Sequence, residues 1–291
     1  MAVSRCNGSC MATDRYAVIG HGISYSRSPQ IHAWFAQQCG QSLDYGLIDT
    51  PPQAFAASAR AFLADGGLGL NVTVPFKQEA LALADVLSER AREAGAVNTL
   101  AVQPDGRVLG DNTDGTGLVR DLRDNLRHDP AGARLLLLGA GGAARGVAAP
   151  LLRAGVALFA IANRTTQRAV ELARLFAPLG PVVVLAGDPT NGDGAATPGG
   201  AWDLIINATA ASHSGELPAI PAGAVGPHTL CYDMGYAQRD TVFQQWARAA
   251  GAGQVVNGLG MLVEQAAESF LLWRGVRPET AAVLARLRGG G

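Results

Sequence analysis

The sequence lacks the features that are typical of disulfide-rich, membrane-spanning, secreted and nucleic-acid-binding proteins. It contains only four cysteines in 291 residues, too few for a disulfide scaffold. No apolar run approaches the roughly 20 residues that span a bilayer, and the first residues lack the apolar centre of a signal peptide. A net charge of -1, with scattered arginines, gives no basic field for nucleic acid or an anionic membrane. These absences favour a cytoplasmic globular protein that binds a small molecule.

The four cysteines fall into two groups. Cys6 and Cys10 lie in a polar leader at residues 1–14, which we expect to be flexible. No second cysteine pair or nearby histidine accompanies them, so no metal site is expected. Cys39 and Cys231 lie inside regular elements, where a cysteine is most often a small buried apolar group.

The first part of the chain alternates strands and helices. A helix in SPQIHAWFAQQCG is predicted with Ser28 as N-cap, Pro29 at the first helical position and Gly40 at its end. Another helix, PQAFAASARAFLAD, ends at a pair of glycines. The β-α-β-α order predicts a mostly parallel sheet with helices on its faces. The predicted strands are YAVIG, DYGLID, LGLNVTV and, joined by the turn QPDG, GAVNTLAV and RVLGDN.

A second α/β unit follows the polar helix LVRDLRDNL. The dense run RLLLLGAGGAARG restarts the pattern, so a domain change is predicted between Asp114 and Gly132. The glycine- and proline-rich segment 187–200 is predicted to be a loop. Further strands are predicted at VALFAIAN, PVVVLA, WDLIINAT and TLCYDM. The C-terminal helix is expected to bury one apolar face, formed by Leu262, Val263, Ala266, Ala267, Phe270 and Leu271.

The run LLLLGAGGAARG indicates a dinucleotide site. Gly139, Gly141 and Gly142 stand where a buried strand meets a helix, so they allow a tight turn and a close approach of pyrophosphate to helix N-terminal amides. Ala144 replaces the third glycine of the usual pattern. Because that position only governs contact between helix and strand, the change is tolerable.

The end of the next strand, IANRTTQR, decides between NAD and NADP. NAD-binding proteins usually carry an acid there for the ribose hydroxyls, and this sequence has none. Arg164 and Arg168 lie about one helical turn apart, accompanied by the neutral donors Asn163, Thr165 and Thr166. Guanidinium groups suit a 2′-phosphate, so NADP is predicted.

Lys77 ends the apolar stretch NVTVPFK. The β-branched residues Val72 and Val74 predict a buried strand that Pro75 terminates, which brings Lys77 to the strand's carboxyl end. Ligands of open α/β sheets bind at that edge. An ordinary solvated lysine is the alternative interpretation.

Other polar residues lie near strand ends or turns. Each allows a structural explanation, as a helix cap, a turn or a helix-surface amide. As a set they suit a polyhydroxylated carboxylate, with hydroxyls for the acid, amides and a carboxylate for the alcohols, and a lysine for the reacting carbon. The set is Ser26, Ser28, Asn71, Thr73, Lys77, Asn98, Asp114 and Gln265.

Taken together, the motifs resemble those of the shikimate dehydrogenase family, in the family's order from Tyr16 to about Arg286. They are SYSRSPQIH, NVTVPFK, GAVNTL, GDNTDG, GAGGAARG, NRTTQR, INAT, YDMGY and GLGMLVEQAAESF. The resemblance implies an NADP-linked reversible reduction of 3-dehydroshikimate to shikimate, on the route to aromatic amino acids. It also implies an α/β protein of two domains: a substrate domain from residues 15–114 plus 258–291, and an inserted Rossmann domain from residues 115–257.

The resemblance also implies roles for individual residues. Lys77 and Asp114 would form the catalytic pair, and Tyr236 would close over the substrate. Ser26 and Ser28 would hold the carboxylate, and Thr73, Asn98, Asp114 and Gln265 would contact ring hydroxyls. The cofactor would contact Gly139, Ala140, Gly141, Gly142, Ala143, Asn163, Arg164, Thr165, Arg168, Met234 and Gly258. Ala210 departs from the commoner INATSSG and is left out of the site.

The chemistry of ketone reduction also fits these residues, without reference to the resemblance. Hydride addition to a ketone builds alkoxide charge, which an adjacent ammonium both stabilises and protonates. Lys77 would therefore act as acid in reduction and as base in oxidation, with Asp114 holding it in place.

Three alternatives stay open: an NAD-dependent quinate/shikimate dehydrogenase, a shikimate-sensing dinucleotide-binding module without turnover, and another two-domain dehydrogenase such as a methylenetetrahydrofolate enzyme. We expect a monomer or homodimer whose domains close over the cleft.

Overall fold

A computed structural model describes residues 13–185, 200–209, 215–218, 220–237 and 239–289. Residues 1–12, with Cys6 and Cys10, lie outside the described residues, as do residues 186–199 of the loop segment and Ala210. The described chain forms two six-stranded sheets.

The first sheet is built from the first part of the chain. Its strand order is β2-β1-β3-β5-β6-β4, and β5 runs antiparallel to both β3 and β6 while the other pairs are parallel. The predicted mostly parallel sheet and the β5-β6 hairpin are therefore confirmed. The strands are β1 (Asp14–Gly20), β2 (Leu43–Asp49), β3 (Gly67–Val72), β4 (Val86–Leu87), β5 (Thr99–Val102) and β6 (Val108–Asp111). The helices are α1 (Ser28–Gln38), α2 (Phe55–Ala64) and α3 (Glu89–Ala94), with 3₁₀ turns at Pro52–Ala54 and Glu79–Leu83.

The second sheet is parallel at every described pairing. Its order is β12-β11-β10-β7-β8-β9, so the strand order reverses between β7 and β10, as in a Rossmann fold. Ligands of such sheets bind outside the strands' carboxyl ends at that reversal. The strands are β7 (Arg134–Leu138), β8 (Leu158–Ala162), β9 (Val182–Val184), β10 (Leu204–Asn207), β11 (Leu230–Asp233) and β12 (Gln254–Asn257). The helices are α5 (Gly142–Arg153), α6 (Thr166–Phe176), with a 3₁₀ turn at Ala177–Leu179, and α7 (Val242–Ala249).

Two segments carry the chain between the sheets. The first is α4 (Asp114–Arg120), which continues into a π-helical turn at Asp121–Asn125, and the second is α8 (Leu259–Arg274), followed by α9 (Thr280–Gly289). A Cβ at Gly117 would lie 2.7 Å from the Cβ of Gln265, so glycine is needed where α4 crosses α8. Helices α8 and α9 pack with α1 around Phe35 and Phe270. The C-terminal helices thus return to the first sheet.

Several local predictions were wrong. Helix α1 begins at Ser28, with Arg27 at the N-cap position, so Ser28 is not the cap. Strand β3 ends at Val72, which leaves Thr73 in the turn that carries Lys77. Cys39 is only partly buried. Leu271 is 37% exposed because a helix turns about 100° per residue, which places it at the rim of the buried face of α8. The elements β4, α3, α7 and β12 were not predicted.

Candidate active site

A cleft of about 510 Å³ lies between the carboxyl edges of the two sheets. Residues from both halves of the chain line it, although they are far apart in sequence. From the predicted substrate site it gathers Ser26, Ser28, Thr73, Lys77, Asn98, Asp114, Tyr236 and Gln265. From the predicted cofactor site it gathers Gly141, Gly142, Ala143, Arg168, Met234 and Gly258.

Lys77 and Asp114 form an ion pair in the cleft. Lys77 follows β3, Asp114 begins α4, and Lys77 Nζ donates a hydrogen bond of 2.6 Å to Asp114 Oδ2. The two side chains are 14% and 5% exposed, so the pair is shielded from bulk water on most sides. The chain contains no other lysine, and every other basic charge on its side chains is an arginine or a histidine.

Asn98 fixes the second oxygen of the same carboxylate. Its Nδ2 donates to Asp114 Oδ1 at 2.9 Å, and its Oδ1 accepts from the backbone N–H of Thr113 at 2.8 Å. The Nδ2 also lies 3.4 Å from Gln265 Oε1. Because both oxygens of Asp114 accept from donors with fixed positions, the carboxylate has one orientation, which faces Lys77.

Buried polar side chains support Asn98 from behind. Thr99 Oγ1 donates to Asn98 Oδ1 at 2.9 Å, and Asn71 Nδ2 donates to the hydroxyls of Thr99 and Ser269 at 3.2 and 2.9 Å. Tyr45 donates to Asn71 Oδ1 at 2.7 Å. Sequence reasoning missed Thr99 and Ser269, although a serine within the apolar face of α8 was a signal that could have found Ser269.

The predicted carboxylate site lies in the loop between β1 and α1. Asp49 holds this loop by accepting from the backbone N–H groups of Gly22 and Ile23, at 2.8 and 3.2 Å. Ser28 is buried, and its backbone N–H donates to Ser26 Oγ at 3.3 Å.

Tyr236 covers this loop from the second sheet. Its ring lies edge-on to that of Tyr25, with centroids 6.1 Å apart. Burial raises the pKa of Tyr236, although the hydroxyl of Ser26 and the backbone of Arg27 act in the opposite direction. The phenol therefore stays protonated near neutral pH and can donate a hydrogen bond.

The first turn of α5 faces the cleft without a side-chain cap. Gly141 occupies the N-cap position, and a Cβ added there would meet no heavy atom within 4 Å. Gly139 has φ +105°, a conformation that disfavours other residues, and Ala140 beside it is buried. Unpaired N–H groups at a helix N-terminus attract anions, so this end of α5 suits a pyrophosphate.

Helix α5 also lies close to Lys77. A Cβ at Gly142 would lie 3.3 Å from the Cβ of Lys77. Across the cleft, a Cβ at Gly258 would lie 2.2 Å from the carbonyl oxygen of Met234, so the chain there needs glycine too. The predicted cofactor and catalytic residues are thus in direct contact.

The predicted 2′-phosphate site is open to solvent. Asn163 Nδ2 donates to the carbonyl oxygen of Thr165 at 2.9 Å, which shapes the turn before α6. Arg164, Thr165 and Arg168 are exposed. Within the described chain neither arginine forms an ion pair or a side-chain hydrogen bond. Two guanidinium groups without a partner among the described residues fit a phosphate.

Two features are absent from the residues that the structure describes. No group of three or more His, Cys, Asp or Glu side chains there could hold a metal ion. No described helix combines the length and the apolar character that crossing a membrane requires.

Three family models match the chain. The model described as the shikimate dehydrogenase substrate binding domain matches residues 18–100. The model described as shikimate / quinate 5-dehydrogenase matches residues 122–185. The model described as the shikimate 5′-dehydrogenase C-terminal domain matches residues 258–288.

Curated relatives match over nearly the whole chain. The shikimate dehydrogenase (NADP(+)) of Aromatoleum aromaticum is 55% identical over 278 residues, which cover 96% of this chain and 98% of the relative. The protein of the same name from Thioalkalivibrio sulfidiphilus is 54% identical over 275 residues, 94% of this chain and 98% of the relative.

Solved structures share the two-sheet architecture. An Ael1 enzyme from Pseudomonas putida has a TM-score of 0.83 at 42% identity, over 94% of this chain and 98% of its own. Shikimate 5-dehydrogenase from Thermus thermophilus, in complex with NADP(H) and shikimate, has a TM-score of 0.79 at 32% identity, over 96% and 100%. Quinate dehydrogenase from Corynebacterium glutamicum, in complex with NAD, has a TM-score of 0.79 at 27% identity, over 95% and 99%.

Proposed function

The chain belongs to the shikimate dehydrogenase family, and we propose that it catalyses the NADP-dependent, reversible reduction of 3-dehydroshikimate to shikimate, a step toward aromatic amino acids. One observation carries the proposal. The chain's only lysine is paired with a buried carboxylate in the same cleft that holds the uncapped N-terminus of a Rossmann helix.

The catalytic roles follow from the Lys77–Asp114 contact. Bound NADPH would supply the hydride, and negative charge would then develop on the ketone oxygen of the substrate. The ammonium of Lys77 stabilises this charge and donates its proton to the oxygen, and the neutral amine accepts the proton in the reverse direction. Asp114 holds Nζ in place at 2.6 Å.

The remaining substrate contacts divide by chemistry. The hydroxyls of Ser26 and Ser28, with the phenol of Tyr236 above them, would hold the carboxylate of the substrate. Thr73, Asn98, Asp114 and Gln265 would accept from or donate to its ring hydroxyls. Because these groups line one cleft, they would orient the reacting carbon next to Lys77 and exclude water from it.

The cofactor contacts support NADP. The N-terminus of α5 would bind the pyrophosphate, with Gly139, Ala140, Gly141, Gly142 and Ala143 at the turn. Asn163, Arg164, Thr165 and Arg168 would hold the 2′-phosphate, and Met234 and Gly258 would border the nicotinamide. Domain boundaries at residues 114 and 258, action in the cytoplasm, and a monomeric or homodimeric state stay predictions of the sequence analysis.

A crossed steady-state assay tests the proposal. Shikimate and quinate are each combined with NADP and NAD, and the initial rate of cofactor reduction is measured by absorbance. Rapid turnover with shikimate and NADP alone is the expected result. Comparable rates with quinate and NAD would identify a quinate/shikimate dehydrogenase instead, and no turnover in any combination would favour the sensing module.

A further inference from the structure

The support behind the catalytic pair is a chain of hydrogen bonds with one direction. Tyr45 OH donates to Asn71 Oδ1, so the amide of Asn71 points its Nδ2 at Thr99 Oγ1. That hydroxyl accepts from Asn71 and donates to Asn98 Oδ1, 2.9 Å away. Asn98 in turn donates to Asp114 Oδ1. These four hydrogen bonds run in one direction, from Tyr45 to Asp114.

Thr99 holds the critical place in this chain. It is fully buried at the start of β5, behind the cleft wall, and so lies out of reach of substrate and cofactor. Its hydroxyl also lies 2.9 Å from Ser269 Oγ, which donates to the carbonyl oxygen of Gln265 at 3.1 Å. One hydroxyl thus connects β3, β5 and α8 at the rear of the site.

The amide of Asn98 needs this contact. An Asn side chain has a donor end and an acceptor end of nearly equal size, so only its partners decide which end faces Asp114. Thr113 N–H and Thr99 Oγ1 both donate to Oδ1, which keeps Nδ2 directed at the carboxylate. Buried hydrogen bonds in series also polarise one another, so the loss of an early donor weakens the later ones.

We propose that Thr99 is a positioning residue for the reaction: its hydroxyl directs the amide of Asn98 onto Asp114, and thereby keeps Asp114 facing Lys77. The inference rests on the proposed function for its effect on turnover. Its effect on Lys77 can be measured without turnover, because the chain has no other lysine.

The test compares two isosteric substitutions of fully buried threonines. Thr99→Val removes the positioning hydroxyl. Thr229→Val is the matched control, because Thr229 Oγ1 donates to the carbonyl oxygen of Trp202 at 2.6 Å and accepts from the N–H of Gly226, away from the cleft. Thr99→Ser keeps the hydroxyl and should therefore retain most of the activity. Thermal melting confirms that each variant is folded, and Ser269→Ala replaces Thr99→Val if the latter does not fold.

The expected kinetic result is a loss in kcat and a change in its pH profile. Removal of one buried donor should lower kcat about tenfold and leave the KM for NADP within twofold. Thr99→Ser should recover most of the rate, and Thr229→Val should keep the rate and the pH profile of the wild type. Equal losses in Thr229→Val, or in Thr99→Ser, would mean that Thr99 is only structural.

The second measurement is the rate at which acetic anhydride acetylates Lys77 as a function of pH, read by mass spectrometry of the Lys77 peptide. The titratable and charged side chains that line the cleft with Lys77 are Tyr25, Asp114, Arg168 and Tyr236. If Asp114 is released in Thr99→Val, Lys77 Nζ loses its hydrogen-bond partner, so its acetylation profile should differ from that of the wild type. An unchanged profile overturns the proposal. This result does not depend on turnover, so it separates a failure of the proposal from a failure of the assigned reaction.

Discussion

The two walls of the cleft are built in opposite ways. In the substrate wall, formed by Lys77, Asn98, Asp114 and the side chains behind them, the polar groups already bond to one another. In the cofactor wall, formed by the α5 N-terminus with Arg164 and Arg168, the described polar groups face solvent without protein partners.

We expect this difference to separate contributions to turnover from contributions to cofactor affinity. Groups held before the substrate arrives need no reorganisation as charge develops, so the substrate wall should contribute mainly to kcat. Charges that stay unpaired until a phosphate arrives contribute to cofactor binding, and salt should weaken them. Changes at Lys77, at the two arginines and at the two glycines test this division, in order of decreasing expected effect.

Lys77→Met should have the largest effect. It removes the proton donor and the charge that stabilises the alkoxide, so kcat should fall by about 10²- to 10⁴-fold. Binding of NADP, measured by fluorescence titration, should stay within about threefold, because the cofactor wall is intact. Near-normal turnover would show that Lys77 is not the acid.

The double change Arg164→Ala and Arg168→Ala should act on cofactor choice. Loss of two charge-assisted contacts to the 2′-phosphate should raise the KM for NADP about 10- to 100-fold, while kinetics with NAD change little. Arg174→Ala, an exposed arginine of the last turn of α6, is the control. The penalty should shrink at high ionic strength. An equal loss with NAD would place the 2′-phosphate elsewhere.

Gly141→Ala and Gly142→Ala should have different kinetic effects, although the two residues are neighbours in one turn. The Cβ of Ala at 141 meets no protein atom, so it should obstruct only the pyrophosphate and raise the KM for NADP severalfold to about tenfold. The Cβ at 142 lies 3.3 Å from the Cβ of Lys77, so this variant should lower kcat as well. Identical kinetic effects of the two variants would contradict the contact between the walls.

His32 should give the smallest effect, one on stability alone. It stacks on Tyr45 behind the substrate wall, and burial lowers its pKa to about 3, against an opposing effect of Asn71. The unfolded chain binds a proton below about pH 6.5, and the folded chain resists this down to about pH 3. The free energy of unfolding should therefore decrease by up to about 1.4 kcal/mol per pH unit as the pH falls through that window.

Urea unfolding at several pH values checks this expectation. His32→Phe keeps an aromatic ring and should flatten the slope, whereas His228→Gln, at an exposed site, should not. Parallel slopes for the wild type and His32→Phe would assign the acid sensitivity to other groups.

Local signals in the sequence were sufficient for the fold class and for selecting Lys77 and Asp114, which line one cleft. A β-branched run that ends in Pro75 located Lys77, and glycines between a strand and a helix located the α5 turn. These signals depend on residues close together in the chain. Strand β4, with two residues, and the π-helical turn at Asp121–Asn125 were missed because they result from tertiary packing rather than local periodicity.

The support for Asn98 could not be predicted for the same reason. Thr99 and Ser269 are 170 residues apart in sequence, and each is an ordinary hydroxyl in an apolar segment. Only the crossing of α8 over the first sheet brings them together. The sequence identified the residues that face the cleft, and the fold was needed to find those that hold them.

The single lysine has a consequence for spectroscopy. Protein grown with isotope-labelled lysine would carry one labelled side-chain nitrogen, and that atom is the Nζ that contacts Asp114. A magnetic resonance spectrum would therefore contain one lysine side-chain signal, free of overlap. Its chemical shift would follow the proton on Lys77 through binding and turnover, with no probe attached and no residue replaced.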